Sequence, residues 1–144
     1  MTALTSGDRL DHVAYAVHDI DAALPWWTRT LGLPLLADEV AEEPGSRLAY
    51  LDAGGGICVQ LVQPVRHNAV REFLDAHGEG LHHIAFRVTS LPATTARLGD
   101  PAEVFAGGRG CDACFLTTTE PGLRVELVQP REREQRPGRV RRLE

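Results

Sequence analysis

Four polar residues occupy matched places in the two halves of this chain, and together they make a metal-ligand set. Asp11-His12-Val13-Ala14-Tyr15-Ala16-Val17 repeats as His82-His83-Ile84-Ala85-Phe86-Arg87-Val88 at an offset of 71, so His12 matches His83. Val59-Gln60-Leu61-Val62-Gln63-Pro64 repeats as Val125-Glu126-Leu127-Val128-Gln129-Pro130 at an offset of 66, so Gln60 matches Glu126. Two matches in the same order describe a duplicated unit, the second copy about five residues shorter than the first. Two imidazoles, an amide oxygen and a carboxylate carry one formal negative charge. Such a set suits a divalent ion such as Co, Zn, Ni, Mn or Fe; it is too rich in nitrogen for calcium and lacks the thiolates of structural zinc. Four protein ligands leave two positions of an octahedron for a carbonyl and a neighbouring oxygen of a substrate, an arrangement that stabilises an enolate.

Strand alternation must aim these side chains. His12 falls with Ala14 and Ala16 on one face of a strand at 9–17, and Val13, Tyr15 and Val17 on the other. By the same count His83 runs with Ala85 and Arg87, whereas His82 falls with Ile84, Phe86 and Val88 on the packing face. The alanine two residues after each ligand histidine leaves room over the sheet. Gln60 shares a face with Cys58 and Val62, and Glu126 with Arg124 and Val128. Moving a proton at a carbon beside a carbonyl also needs a base within hydrogen-bond reach. Glu126 is one candidate. Phase places Asp112 with Cys114 and Leu116 on the inward face, which makes Asp112 a second. Glu43 in an acidic loop is a third, and Tyr50, in phase with Leu48, is a candidate acid.

The elements read as β-α-β-β-β, twice. In the first half a strand at 9–17 precedes a helix at about 20–31, capped by Asp19 and stopped at Gly32, with Pro25 placing its start nearer Asp21. A short strand (33–38), an acidic loop (38–44) and strands at 46–52 and 57–63 follow, the last two joined by the Asp52-Ala53-Gly54-Gly55-Gly56 turn. Asn68 caps an amphipathic linker helix carrying Val70, Phe73 and Leu74. The second half repeats the order with a strand at 82–88, a helix near 91–98, a weak strand near 103–106 and strands at 111–117 and 123–129. This predicts an α+β fold in one domain, 1–130, with modules at about 9–64 and 81–130 and a linker at 65–80. Residues 131–144 form a charged tail, read as a solvated extension; an arginine patch for a phosphate-bearing substrate or a neighbouring subunit is the sharper alternative.

Composition narrows the function classes. A net charge of −5 argues against general nucleic-acid binding, which needs a basic face. All fifteen basic residues are arginine, so neither Schiff-base chemistry nor a lysine base is available. No apolar run approaches the roughly 18 residues that span a bilayer, and the N-terminus lacks the pattern of a signal peptide, so a cytoplasmic protein is expected. Cys58, Cys111 and Cys114 read as reduced small residues in or near strands rather than a redox or zinc pair.

The motifs resemble those of the vicinal oxygen chelate superfamily, which includes glyoxalase I, fosfomycin-resistance proteins, extradiol dioxygenases and methylmalonyl-CoA epimerase. Asp11-His12-Val13-Ala14-Tyr15, Gly78-Glu79-Gly80-Leu81-His82-His83-Ile84-Ala85-Phe86 and Gly122-Leu123-Arg124-Val125-Glu126-Leu127 are most similar to the epimerases, over about residues 9–130. The resemblance implies paired βαβββ modules curled into a cup around a metal held by His12, Gln60, His83 and Glu126. It also implies a homodimer, and proton removal and return between a thioester and a carboxylate through an enolate held by the metal. Two places depart from the family. The glutamate base that several bacterial epimerases carry three residues after the glycine matching Gly45 is Leu48 here, and the family's Phe-Leu-His-Pro-Lys stretch is Phe115-Leu116-Thr117-Thr118-Thr119.

The leading expectation is therefore a metal-dependent epimerase or isomerase acting on an acyl-CoA or related carbonyl compound. The departures keep two alternatives in view. One is another enzyme of the superfamily, such as a lyase, a glyoxalase-type enzyme or a tailoring isomerase; the other is a non-catalytic small-molecule binding or resistance protein.

Overall fold

The computed structural model describes residues 2–131 and 140–142. The chain runs β1 (Arg9–Ala16), α1 (Ile20–Pro25), β2 (Leu35–Ala41), β3 (Ser46–Asp52) and β4 (Cys58–Pro64), then α2 (Ala69–His77). It continues with β5 (Gly80–Arg87), α3 (Leu91–Leu98), β6 (Phe105–Ala106), β7 (Cys111–Phe115), β8 (Val125–Pro130) and β9 (Val140–Arg142). One mixed sheet, ordered β6-β7-β8-β5-β1-β4-β3-β2-β9, curls nearly into a barrel, an α+β fold of the vicinal oxygen chelate type. The leading strands of the two repeats, β1 and β5, lie antiparallel at its centre, and each has the last strand of its own repeat as a parallel outer neighbour. Among the described residues no helix is long and apolar enough to cross a membrane.

The duplication extends to how the helices dock. Asp19 Oδ1 accepts the Asp21 N–H to cap α1, and Ser90 Oγ accepts the Ala93 N–H to cap α3. At the end of β4, Gln63 Oε1 accepts the Ile20 N–H at 2.8 Å; at the end of β8, Gln129 Oε1 accepts the Leu91 N–H at 2.7 Å. Each matched glutamine thus satisfies a donor that its own helix leaves open. Behind the sheet α1 packs Ile20 on Val17, Leu51 and Leu61, and α3 packs Leu91 on Val88, Cys114 and Leu127. Burying each such aliphatic side chain contributes roughly 1.5–3 kcal/mol. The concave face gathers Ala14, Ala16, Leu48, Tyr50 and Val62, with Val70 and Leu74 of α2 set over them. Asn68 Oδ1 caps α2 through the Arg71 N–H.

Several boundaries differ from the sequence reading. α1 begins at Ile20, and after Pro25 the chain widens into a π-helical stretch, Trp26–Thr30. Proline lacks an N–H, so one carbonyl of the preceding turn loses its partner and the helix re-registers there. β2 runs on through Ala41, so Asp38 and Glu39 of the expected acidic loop are strand residues: Asp38 pairs with Arg47, and Glu39 is buried. Not all of the charged tail is a solvated extension, because Val140–Arg142 adds to the sheet beside β2. The rest of it, 132–139 and 143–144, lies outside the described residues.

One loop bridges the open side of the curl. Arg109, at φ 56, donates its backbone N–H to Glu39 Oε2 on β2, joining the β6–β7 hairpin to the far edge. Gly108 makes the close approach possible: a Cβ there would stand 2.4 Å from the Tyr50 hydroxyl and 3.0 Å from both Glu39 Oε2 and Leu48 Cδ1.

Candidate metal centre and its cavity

The ligand set is written across two rungs of the sheet. On one rung Glu126 pairs with Ala85, which pairs with His12; on the next, His83 pairs with Ala14, which pairs with Gln60. Each rung thus places two polar side chains two strands apart, roughly 9.5 Å in a flat sheet, with only an alanine between them. Curling brings their tips together over that alanine. His12 Nε2 lies 3.3 Å from His83 Nε2 and 3.2 Å from Glu126 Oε1, and His83 Nε2 lies 3.3 Å from the same oxygen. Atoms bound about 2.1 Å from one ion stand roughly 3.0–3.4 Å apart in octahedral or tetrahedral geometry, so the triangle has the span of a coordination site. All three residues are buried.

Hydrogen bonding turns lone pairs inward. His12 Nδ1 is 2.7 Å from Asp11 Oδ2, a carboxylate that only accepts, so the proton sits on Nδ1 and the Nε2 lone pair faces the triangle. Asp11 is itself fully buried and held by Arg87 and by Arg109, whose guanidinium also lies 4.2 Å over the Tyr50 ring. Burial works to raise the Asp11 carboxyl; the His12 bond and the Arg109 charge outweigh it and hold the group well below the carboxylate range. Gln60 Nε2 donates to the Tyr50 hydroxyl at 2.8 Å, leaving Gln60 Oε1 buried with no partner among the described residues. Glu126 Oε1 is buried beside the two imidazoles without an aligned hydrogen bond. Burial raises the Glu126 carboxyl, while hydrogen bonds from His12 and His83, and their charge when protonated, outweigh it and bring it down to about 2; a cation between the three would take the place of those protons. Two orphaned oxygens, the His12 Nε2 lone pair and the adjoining His83 Nε2 fit a divalent cation.

These groups line one cavity of about 340 Å³ whose remaining wall is mostly apolar, with Leu48, Val62, Val70, Phe105, Phe115 and Val128. His12, Gln60, His83, Glu126, Tyr50 and Glu43 all reach it. Glu43 stands at the exposed mouth, 3.5 Å from Arg66. Tyr50 is buried, and burial pushes its hydroxyl pKa up, so it stays protonated.

Asp112 does not reach the cavity, contrary to its strand phase. β7 pairs Ala113 with Val128 and Phe115 with Glu126, so the odd-numbered residues face inward. Asp112 points outward, 3.2 Å from Arg131, and Cys114 packs behind the sheet against the α3 side. All three cysteines are free and buried, and burial raises the Cys114 thiol to about 11.

His82 does line the cavity, also contrary to phase. The β1–β5 register steps from Ala14↔His83 to Tyr15↔Leu81, so His82 is the extra residue of a bulge; a matching step from Leu10↔Phe86 to His12↔Ala85 makes Asp11 one too. The repeat alignment already set Asp11 against His82, a signal that alternation alone overrides. Arg109, in a Gly-Gly-Arg-Gly turn, carries no comparable cue in the sequence.

Comparison with known proteins agrees with the fold. Residues 11–115 match the family model described as the Glyoxalase/Bleomycin resistance protein/Dioxygenase superfamily. The uncharacterized protein YqjC of Bacillus subtilis (strain 168) is 33% identical over 86% of this chain and 94% of its own. The crystal structure of methylmalonyl-CoA epimerase from Mycobacterium tuberculosis is 30% identical, with a TM-score of 0.82 and 92% of each chain covered. A variant of the Streptomyces coelicolor methylmalonyl-CoA epimerase, in complex with 2-nitronate-propionyl-CoA, is 35% identical, with a TM-score of 0.76 over 89% of this chain and 98% of that one. The chain belongs to the glyoxalase/bleomycin resistance protein/dioxygenase superfamily.

Proposed function

We propose that this protein is a metal-dependent epimerase that moves the proton on the carbon between two carbonyl groups of an acyl-CoA of the methylmalonyl type. The observation that carries the reading is the triangle of His12, His83 and Glu126, with the orphaned Gln60 oxygen in the same cavity. Those four residues would hold the ion. When bound, a divalent ion polarises a carbonyl oxygen and stabilises the charge that builds there as the neighbouring carbon loses its proton. The epimerases solved from relatives support the substrate class.

The chain's own residues supply the rest. Inversion needs proton acceptors within reach of the reacting carbon, and Glu126 inside and Glu43 at the mouth are the two carboxylates of the lining. Arg109 closes the cavity on the side of Asp11, and the apolar wall limits water around the exchanging proton. We extend the proposal to a homodimer, read by light scattering in solution. The decisive experiment incubates metal-loaded protein with methylmalonyl-CoA in deuterated water. Uptake of deuterium at the α-carbon is expected; no uptake, with metal bound, overturns the assignment.

A second reading has one observation in its favour. Leu48 lines the cavity where the resemblance expects a glutamate, which suits another isomerase or lyase of the superfamily working on a smaller carbonyl compound. A panel of dicarbonyl and thioester substrates separates the two, since a preference for CoA thioesters removes this alternative.

A further inference from the structure

His82 has a partner on one ring nitrogen and, among the described residues, none on the other. Its Nδ1 lies 2.7 Å from Nδ1 of His83, and both rings are buried. Two neutral imidazole nitrogens at that distance must divide the roles, one donating and one accepting. His83 directs Nε2 at Glu126 and His12, and ligation of the ion through that nitrogen requires its lone pair, which puts the His83 proton on Nδ1. His82 Nδ1 must then accept, and the His82 proton sits on Nε2.

The first repeat shows what is special in this. There the bulged residue ahead of the ligand histidine is Asp11, which accepts from His12 Nδ1 and carries no proton of its own. In the second repeat the equivalent acceptor is an imidazole, and accepting on one nitrogen obliges it to donate from the other. That other nitrogen, Nε2, makes no hydrogen bond among the described residues, on a ring that lines the cavity. Phe73 holds the ring edge-on with centroids 5.0 Å apart, so its direction is set by packing.

We propose that His82 is a hydrogen-bond donor to the bound substrate, presenting Nε2–H to a carbonyl or carboxylate oxygen. This rests on the proton-transfer reading above. A neutral donor fixed beside the reacting group stabilises charge as it develops on that oxygen and needs no reorganisation to do so. The same residue positions His83.

His82→Asp separates the two roles, because it keeps an acceptor for His83, as Asp11 is for His12, and removes the donor. Zinc affinity by competition with a chelator stays within about threefold of wild type or tightens, while kcat falls by about 10²–10³-fold. His82→Phe removes both roles and also weakens zinc by about 10–100-fold. A His82→Asp protein with wild-type kcat overturns the proposal. Nitrogen NMR of the zinc-loaded wild-type protein gives a readout independent of variant folding. His82 is expected as the Nε2–H tautomer, with that resonance moving when methylmalonyl-CoA is added; an Nδ1–H tautomer, or an unmoved resonance at saturating ligand, overturns it. The two readings fail separately: absent deuterium uptake in wild type removes the reaction, whereas an unmoved His82 resonance with uptake intact removes only the donor.

Discussion

The Tyr50 hydroxyl takes an amide proton of Gln60 2.8 Å away, and that bond decides which end of the Gln60 amide is left without a partner. A buried amide oxygen with nothing to accept is unfavourable by about 1–3 kcal/mol, unless a cation supplies the interaction. Tyr50→Phe removes the fixing bond and lets the amide turn over. We expect zinc affinity to fall about tenfold, with the fold retained, as read by chelator competition and circular dichroism. An unchanged affinity would separate Gln60 from the ion.

Metal binding should show as stability. Anything that binds only the folded chain stabilises it by about 2.7 kcal/mol at 100 times its Kd, which for a chain of this size raises Tm by roughly 5–10 °C. Titrating Zn, Co, Ni or Mn into chelator-treated protein should raise Tm, and His12→Ala should abolish the rise. Equal shifts in wild type and His12→Ala would place the ion elsewhere.

Gly108→Ala tests the bridge across the open side of the sheet. The added Cβ meets the Tyr50 hydroxyl at 2.4 Å, so the loop must lift and the Arg109–Glu39 bond stretch. Urea denaturation should show a loss of about 1–3 kcal/mol. Gly80→Ala, with nothing within 4 Å of its Cβ, is the control and should be neutral within about 0.5 kcal/mol.

Asp112→Asn should leave turnover and KM unchanged, because the side chain faces Arg131 rather than the cavity. Losing that partly exposed ion pair destabilises by less than about 1 kcal/mol. Glu43→Gln, at the cavity mouth, is expected to lower kcat instead. A large activity loss in the Asp112 variant would mean that the β7 register is misassigned.

Asp100 carries a pH dependence remote from the site. Burial works to raise its carboxyl, but hydrogen bonds from Thr117 and Thr118 outweigh this and hold it below the usual value. A depressed folded pKa contributes stability above the unfolded value, about 3.9, and that contribution disappears as pH falls through the folded one. The Tm advantage of wild type over Asp100→Asn should therefore be full at pH 6 and shrink below about pH 4. A constant difference across that range would mean that Asp100 contributes only its neutral hydrogen bonds.

Much of the candidate site's placement is legible in the sequence because β1, β4 and β8 keep their period around its residues. His12, Gln60 and Glu126 sit on the face that alternation assigns them, and the matched offsets find His83. Alternation fails where the backbone inserts a residue. The bulge at His82 turns into the cavity a side chain that counting sends outward, and the bulge at Asp11 brings its carboxylate against the His12 ring. β7 fails differently: alternation along the strand puts Asp112 inward, while the face is set by the partner register that pairs Phe115 with Glu126. Arg109 and β9 depend on contacts between residues far apart in the chain, Arg109 with Asp11 and Glu39, and Val140 with Ala41, and no local pattern announces such contacts.

The neighbourly placement of β1 and β5 has a consequence for how the molecule comes apart. The two imidazoles come from opposite sides of the seam where the two copies meet, so a cation bound between them would act as a rivet through that seam. With it in place, opening either copy would also cost the bonds to the ion. Stripped of it, the copies are free to loosen one at a time, and amide exchange in β4 and β8 would then follow separate clocks.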